Sequence, residues 1–173
     1  MKTTLRVAAL VLAAALLQSA VANLAGGAAF DLVLVAVVAV ALRHGRVAGL
    51  VSGTLAGLVQ DALGGGILGL SGLGKSIAGY LTGFIATQFI VNQATPRGLI
   101  FAGATLVNAA CFIGLSVLLG LRRYDHPFFD AGIQAVVNAA LGVLLFASME
   151  FAPSIKAWGA AILERRRKRR YHP

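Results

Sequence analysis

Apolar residues fall into six blocks separated by short polar or glycine-rich breaks: Leu5–Leu24, Ala28–Leu42, Val47–Leu63, Lys75–Val91, Leu99–Leu121 and Phe128–Phe151. A helix needs about 20 apolar residues to cross a bilayer core. Lipid offers no partner to backbone N–H and C=O groups, so such blocks read as transmembrane helices. The pattern predicts an all-α polytopic membrane protein of six transmembrane helices over residues 1–152. An interfacial segment and a basic cytoplasmic tail follow over 153–173. The second and third blocks are short for upright spans; they extend into neighbouring glycines or sit where the bilayer thins. The longest break, Gly64 to Gly74, is either a loop or a re-entrant turn. No break is long enough for a soluble domain.

A second pattern lies inside the blocks. Gly49, Gly53 and Gly57 recur every four residues, and Asp61 takes the next step. Lys75, Gly79 and Gly83 repeat the spacing. Residues four apart share a helix face. The third block therefore carries a smooth stripe ending in an acid, and the fourth one beginning with a base. Lipid supplies no hydrophobic drive for helix association, so small residues that let backbones approach take over that role. The two stripes either pack the third and fourth helices together or receive a partner's helix.

Composition agrees with a membrane setting. Of 173 residues, 58% are hydrophobic and 12% charged, and mean hydropathy is +0.85. Soluble domains carry about twice that charge. The net charge of +9 is distributed as a topology signal and not as a nucleic-acid surface. With a cytoplasmic N-terminus, Lys2, Arg6, Arg43, Arg46, Arg97, Lys156 and the run Arg165, Arg166, Arg167, Lys168, Arg169 and Arg170 all lie inside. Only Lys75, Arg122 and Arg123 remain outside. Positive charge marks the cytoplasmic side, so both termini are expected there. Lys2, Arg6 and Ala20-Val21-Ala22 also resemble a signal peptide with its cleavage site; the long apolar run and the lack of an exported soluble domain favour an uncleaved helix. The tail, with Trp158, Ile162 and Leu163 before its basic run, is either solvated or a short interfacial helix on anionic lipid.

Charges inside the blocks narrow the chemistry. Asp61 near a helix C-terminus and Lys75 near an N-terminus both sit at the unfavourable end of the helix dipole. Opposite misplaced charges on adjoining helices compensate each other, so Asp61 and Lys75 are expected to pair or to share a polar site. Asp31 opens the second helix on the same side. With Gln18, Asn23 and Gln60 the three form either a polar pocket or a clasp between helices in the outer leaflet. Asn108 and Asn138 are expected to hydrogen-bond between helices, and Glu150 to meet an Arg or Lys at the cytoplasmic end. Cys111, the single cysteine, is a buried thiol that excludes an intramolecular disulfide and a cysteine-based metal site.

Catalytic constellations are not legible. Gly69-Leu70-Ser71-Gly72 resembles the GxSG nucleophile motif of rhomboid proteases, but such a serine needs a base. His44, His126 and His172 lie in loops or the tail. Ser71 reads more simply as a turn residue. No phosphate loop or metal-ligand cluster is present, and neither enzyme activity nor a cofactor is expected.

The stretch from Phe30 to Phe84 resembles the rod shape-determining protein MreD family. The resemblance rests on Asp31 opening the second helix, the short basic loop Arg43–Arg46, a glycine-stepped helix ending in Asp61, and Gly65, Gly69, Lys75, Gly79 and Tyr80. Asn138 in the last helix and the chain length also fit. Phe30 departs from the proline usual before the acid. The resemblance implies a non-enzymatic inner-membrane component of the bacterial elongation machinery. Its implied partner is MreC, a bitopic protein acting on the peptidoglycan synthase formed by RodA and a class B penicillin-binding protein, with MreB filaments on the cytoplasmic side. It further implies a fold similar to the substrate-binding subunits of energy-coupling-factor vitamin transporters. That similarity supplies an alternative function, capture of a small molecule, with Ala9 and Ala13 as a docking pair. On the scaffold reading, the expected partner or pocket residues are Asp31, Gly49, Gly53, Gly57, Asp61, Gly65, Gly69, Lys75, Gly79 and Gly83. Trp158 and the basic run from Arg165 to Arg170 are expected to contact lipid or cytoplasmic partners.

Overall fold

A computed structural model describes the backbone over residues 2–25, 30–65, 67–89, 93–120 and 127–170, and the side chains over 9–21, 30–65, 67–89, 93–120 and 128–150. Six helices account for nearly all of it: α1 (Lys2–Ala25), α2 (Leu32–His44), α3 (Arg46–Gly64), α4 (Leu70–Gln88), α5 (Ala94–Leu118) and α6 (Pro127–Arg170). No strand occurs among the described residues. By length and composition, three segments are able to cross a membrane: Arg46–Gly64, Ala94–Leu118 and Phe128–Glu150.

The core is α2. Every residue from Val33 to Ala41 is buried, and all five other helices touch it. A helix apolar on all sides belongs inside a bundle, and this one, rich in valine and alanine, reads that way in sequence. Its 13 residues make it only about 20 Å long. Leu34, Val35, Val38 and Ala39 pack with Ala78, Phe101, Ala104 and Phe146, while Val33 and Val37 meet Val11, Ala15 and Ala56 on the other side. Gly142 of α6 makes room for the ring of Phe101, since a Cβ there would fall inside it.

Several boundaries differ from those the hydropathy pattern predicts. The chain from Ala28 was expected to be helical, but α2 starts at Leu32 because Asp31 caps it, accepting from the Leu34 N–H at 2.9 Å. α4 begins at Leu70, five residues before Lys75, so the glycine break shrinks to the five residues 65–69 between α3 and α4. α4 ends at Gln88, and α5 begins at Ala94, ahead of Pro96. A proline is tolerated in a helix's first turn, where its missing N–H would be unpaired anyway. α6 continues without interruption past residue 152 to Arg170, so the expected division between membrane domain and tail is not a break in the helix. Arg122, Arg123, His126, His172, the side chain of Asn23, and the side chains of Trp158 and Arg165 to Arg170 lie outside the described residues.

Candidate functional site

The glycine stripes meet each other. A Cβ at Gly49 would overlap the Gly79 carbonyl, one at Gly53 the Lys75 carbonyl, and one at Gly57 the Gly72 backbone. From the other side, a Cβ at Gly79 would meet the Gly49 carbonyl, and one at Gly83 the backbone of Arg46. α3 and α4 are thus in backbone contact along most of their length. Of the two uses expected of these glycine faces, packing the third and fourth helices together is the one observed: α4 fills the face of α3 that a partner's helix would need. Gly72, three residues before Lys75 and so off the four-residue ladder, belongs to the same seam.

The turn after α3 explains two more glycines. Gly65 caps α3 at φ 65° and Gly69 precedes α4 at φ 97°. Both are left-handed conformations that L side chains rarely adopt. Neither residue would clash with a Cβ, so backbone conformation accounts for glycine at both positions.

The two charges do not pair with each other. Asp61 is buried, and its Oδ2 accepts from the N–H groups of Gly69 at 2.9 Å and Ser71 at 3.1 Å. Those amides belong to the start of α4, where N–H groups lack helical partners and the dipole is positive. Asp61, misplaced on its own helix, is well placed on the next. Ser71 therefore takes part through its backbone N–H, from the first turn of α4 and not from a turn between the helices as expected. Asp61→Ala removes both acceptor contacts and is expected to cost about 0.5–2 kcal/mol; Asp61→Asn, which keeps one acceptor oxygen, is expected to cost less. Thermal unfolding of the purified protein in detergent reads the difference.

Lys75 sits in the second turn of α4 and points into the bundle. Its Nζ is 2.6 Å from Asp31 Oδ2, and both side chains are almost fully buried. The other Asp31 oxygen caps α2. Around this pair the remaining helices converge. The Asp31 N–H donates to Asn138 Oδ1 of α6 at 2.9 Å, and Asn138 Nδ2 donates to Thr105 Oγ1 of α5 at 3.1 Å. Gln18 of α1 donates to the Phe30 carbonyl at 3.0 Å and accepts from the Leu32 N–H at 2.9 Å. α1, α4, α5 and α6 are therefore all tied to the first turn of α2. Gln18 joins the cluster as expected. Gln60 Oε1 and Asn108 Oδ1 are buried with no hydrogen-bond partner among the described residues. Asn108, expected to bond between helices, instead packs against Gly74. Thr105 is the member sequence reading missed; a threonine in an apolar helix gives no signal that sets it apart from one bonding its own backbone.

Outside the α3–α4 seam the two helices leave a groove of about 560 Å³, whose walls include Leu50, Leu58, Leu73, Ile77, Tyr80 and Leu81. All six side chains are exposed. Its floor is formed by small residues, among them Thr54 and Ser76, whose hydroxyls lie 2.7 Å apart.

A buried acid–base pair, an internally zipped glycine ladder and an open apolar groove form a binding and packing arrangement. No cluster of three or more metal-binding side chains occurs among the described residues. The profile of the rod shape-determining protein MreD family matches residues 3–151. The chain belongs to the MreD family. Membership implies a role in rod-shape determination, and it makes the long apolar helices those of a membrane protein. No curated protein and no solved structure matches the chain significantly.

Proposed function

We propose that this MreD-family member is a non-enzymatic, six-span scaffold of the elongation machinery in the bacterial inner membrane, with both termini cytoplasmic. In this reading it binds MreC, and through MreC it helps regulate peptidoglycan synthesis by RodA and its class B penicillin-binding protein. MreB and anionic lipid are the cytoplasmic contacts of the basic tail. The family resemblance also implies an architecture like that of energy-coupling-factor substrate-binding subunits.

The family match carries the reading, and the groove between α3 and α4 supplies a physical mechanism for it. Because the glycine ladder is used internally, the partner's single helix docks beside it, against Leu50, Leu58, Leu73, Ile77 and Tyr80. A floor of Thr54, Ser76 and glycine lets a helix approach closely, and close approach is what drives association in lipid. The seam makes α3 and α4 one rigid element. The Asp31–Lys75 pair fixes that element against α2, so a helix seated in the groove holds its extramembrane domain at a defined angle.

Pull-down of the tagged protein from native membranes tests the reading. Recovery of MreC is expected. Ile77→Trp fills the groove without entering the core and is expected to lower MreC recovery about tenfold, equivalent to about 1.4 kcal/mol, at unchanged membrane yield. Undiminished recovery would place the MreC contact elsewhere. Recovery of paired ATPases with a coupling subunit would favour transport.

A further inference from the structure

The floor of the α3–α4 groove is short of hydrogen-bond protons. Thr54 Oγ1 lies 3.0 Å from the Leu50 carbonyl, Ser76 Oγ lies 2.6 Å from the Gly72 carbonyl, and the two hydroxyl oxygens lie 2.7 Å from each other. Each hydroxyl carries a single proton and two lone pairs, so these three contacts share two protons. If both protons went to the carbonyls, the oxygens would face each other at 2.7 Å with no proton between them. One hydroxyl therefore donates to the other, which donates to its own helix carbonyl. The carbonyl left out keeps its helical N–H and loses little. In either direction both protons are spent while lone pairs remain. The pair accepts and has nothing left to donate.

Position decides what can answer it. Thr54 and Ser76 are half-buried and both line the groove. Thr54 stands midway along α3 (Arg46–Gly64), a helix able to cross a membrane, about 12 Å from its nearer end. Water and lipid headgroups lie towards the ends of such a helix, and acyl chains carry no N–H or O–H. A donor at this depth comes from protein. Tyr80 is the one other hydroxyl lining the groove, and it bonds to neither oxygen. The backbone N–H groups of an incoming helix are taken by its own carbonyls, so the donor is a side chain. Leu50, Leu58, Leu73 and Ile77 make the rest of the lining apolar, and they ask for an apolar face around it.

We propose that the partner helix seated in this groove carries one side-chain hydrogen-bond donor (Ser, Thr, Asn, Gln, Tyr or Trp) on an otherwise apolar face, and that this donor bonds the Thr54–Ser76 pair. The inference rests on the docking of MreC's single helix proposed above and adds what that helix must present. The bond fixes register as well as identity: a helix displaced by one turn, about 5.4 Å, sets its donor against leucine. A wholly apolar helix of the same shape leaves the pair unanswered and binds more weakly.

Energy transfer between the full chain and full-length MreC, each labelled outside the membrane and reconstituted together in vesicles of phosphatidylethanolamine and phosphatidylglycerol, tests it. Thr54→Val with Ser76→Ala removes both hydroxyls at little change of shape and is expected to weaken association about threefold, the typical worth of one hydrogen bond between membrane helices. Each donor-bearing residue of the MreC helix is then replaced by alanine in turn. One replacement is expected to weaken association with the wild-type chain by the same factor and to have no further effect on the hydroxyl-free variant. The replacements in MreC leave this chain unaltered, so their result stands even if the hydroxyl-free variant folds poorly. Additive losses at every position, or a MreC helix without such a residue, would overturn the donor. Ile77→Trp separates this failure from that of the docking itself. If Ile77→Trp blocks association and loss of the hydroxyls does not, MreC docks by shape alone and only the donor falls. If neither change weakens association, the docking falls with it. Hydroxyl-dependent transfer between two labelled copies of this chain, with MreC unaffected, would give the groove to a second copy and overturn the proposal.

Discussion

Gly53→Leu is expected to abolish the folded protein. The first added carbon would occupy the space of the Lys75 carbonyl, with the Ser76 amide just beyond. Side chains can change rotamer to relieve such a clash, but a helix backbone cannot. Overpacking a core typically costs about 1–3 kcal/mol; the obstacle here is backbone on both sides, so even Gly53→Ala is expected to reach that range and Gly53→Leu to exceed it. Opening the seam would also move Lys75 away from Asp31, adding the loss of the buried pair. Gly114 supplies the control: it lies in α5, and a Cβ added there would meet nothing within 4 Å. Gly114→Ala is expected to be neutral or to stabilise by about 0.5–1 kcal/mol, since alanine favours a helix interior. Yield of monodisperse protein in detergent and its thermal midpoint measure both. A Gly53→Ala protein as stable as wild type would mean that α3 and α4 do not touch here.

Breaking the Asp31–Lys75 pair on one side is expected to be nearly as damaging, and breaking it on both sides much less so. Removing one member of a buried ion pair leaves an uncompensated charge and typically costs about 3–5 kcal/mol, whereas replacing both can be close to neutral. Asp31→Asn is the informative change at the acid, because an amide oxygen can still accept from the Leu34 N–H and keep the α2 cap. Lys75→Met keeps the length and apolar stem of the base. Each single variant is expected to unfold at markedly lower temperature than wild type, and the double variant to recover most of the difference. Additive losses in this double-mutant cycle would show that the two charges are held by other groups. The same cycle on Asp61 and Lys75 is expected to show little coupling, since Asp61 is satisfied by amides at the start of α4.

The amino-acid sequence by itself determined what was local or compositional. Block length and hydropathy placed all six helices, because an apolar segment with no polar alternative has only its own backbone to bond. The four-residue glycine period disclosed a close-packing face, and the acids and lysine within the blocks disclosed a polar cluster. The MreD resemblance was legible in the stretch from Phe30 to Phe84. Tertiary structure decided which groups meet. Helix dipoles suggested Asp61 with Lys75, but α4 starts one turn earlier than hydropathy indicates. That turn carries Lys75 inward to Asp31 and presents bare amides to Asp61. Periodicity could not say whether the glycine faces pack internally or against a partner, because both uses need the same smooth surface. The α2 core and the Thr105–Asn138–Asp31 chain join residues far apart in sequence. Such contacts depend on how helices are arranged around one another, and no single helix's pattern contains that information.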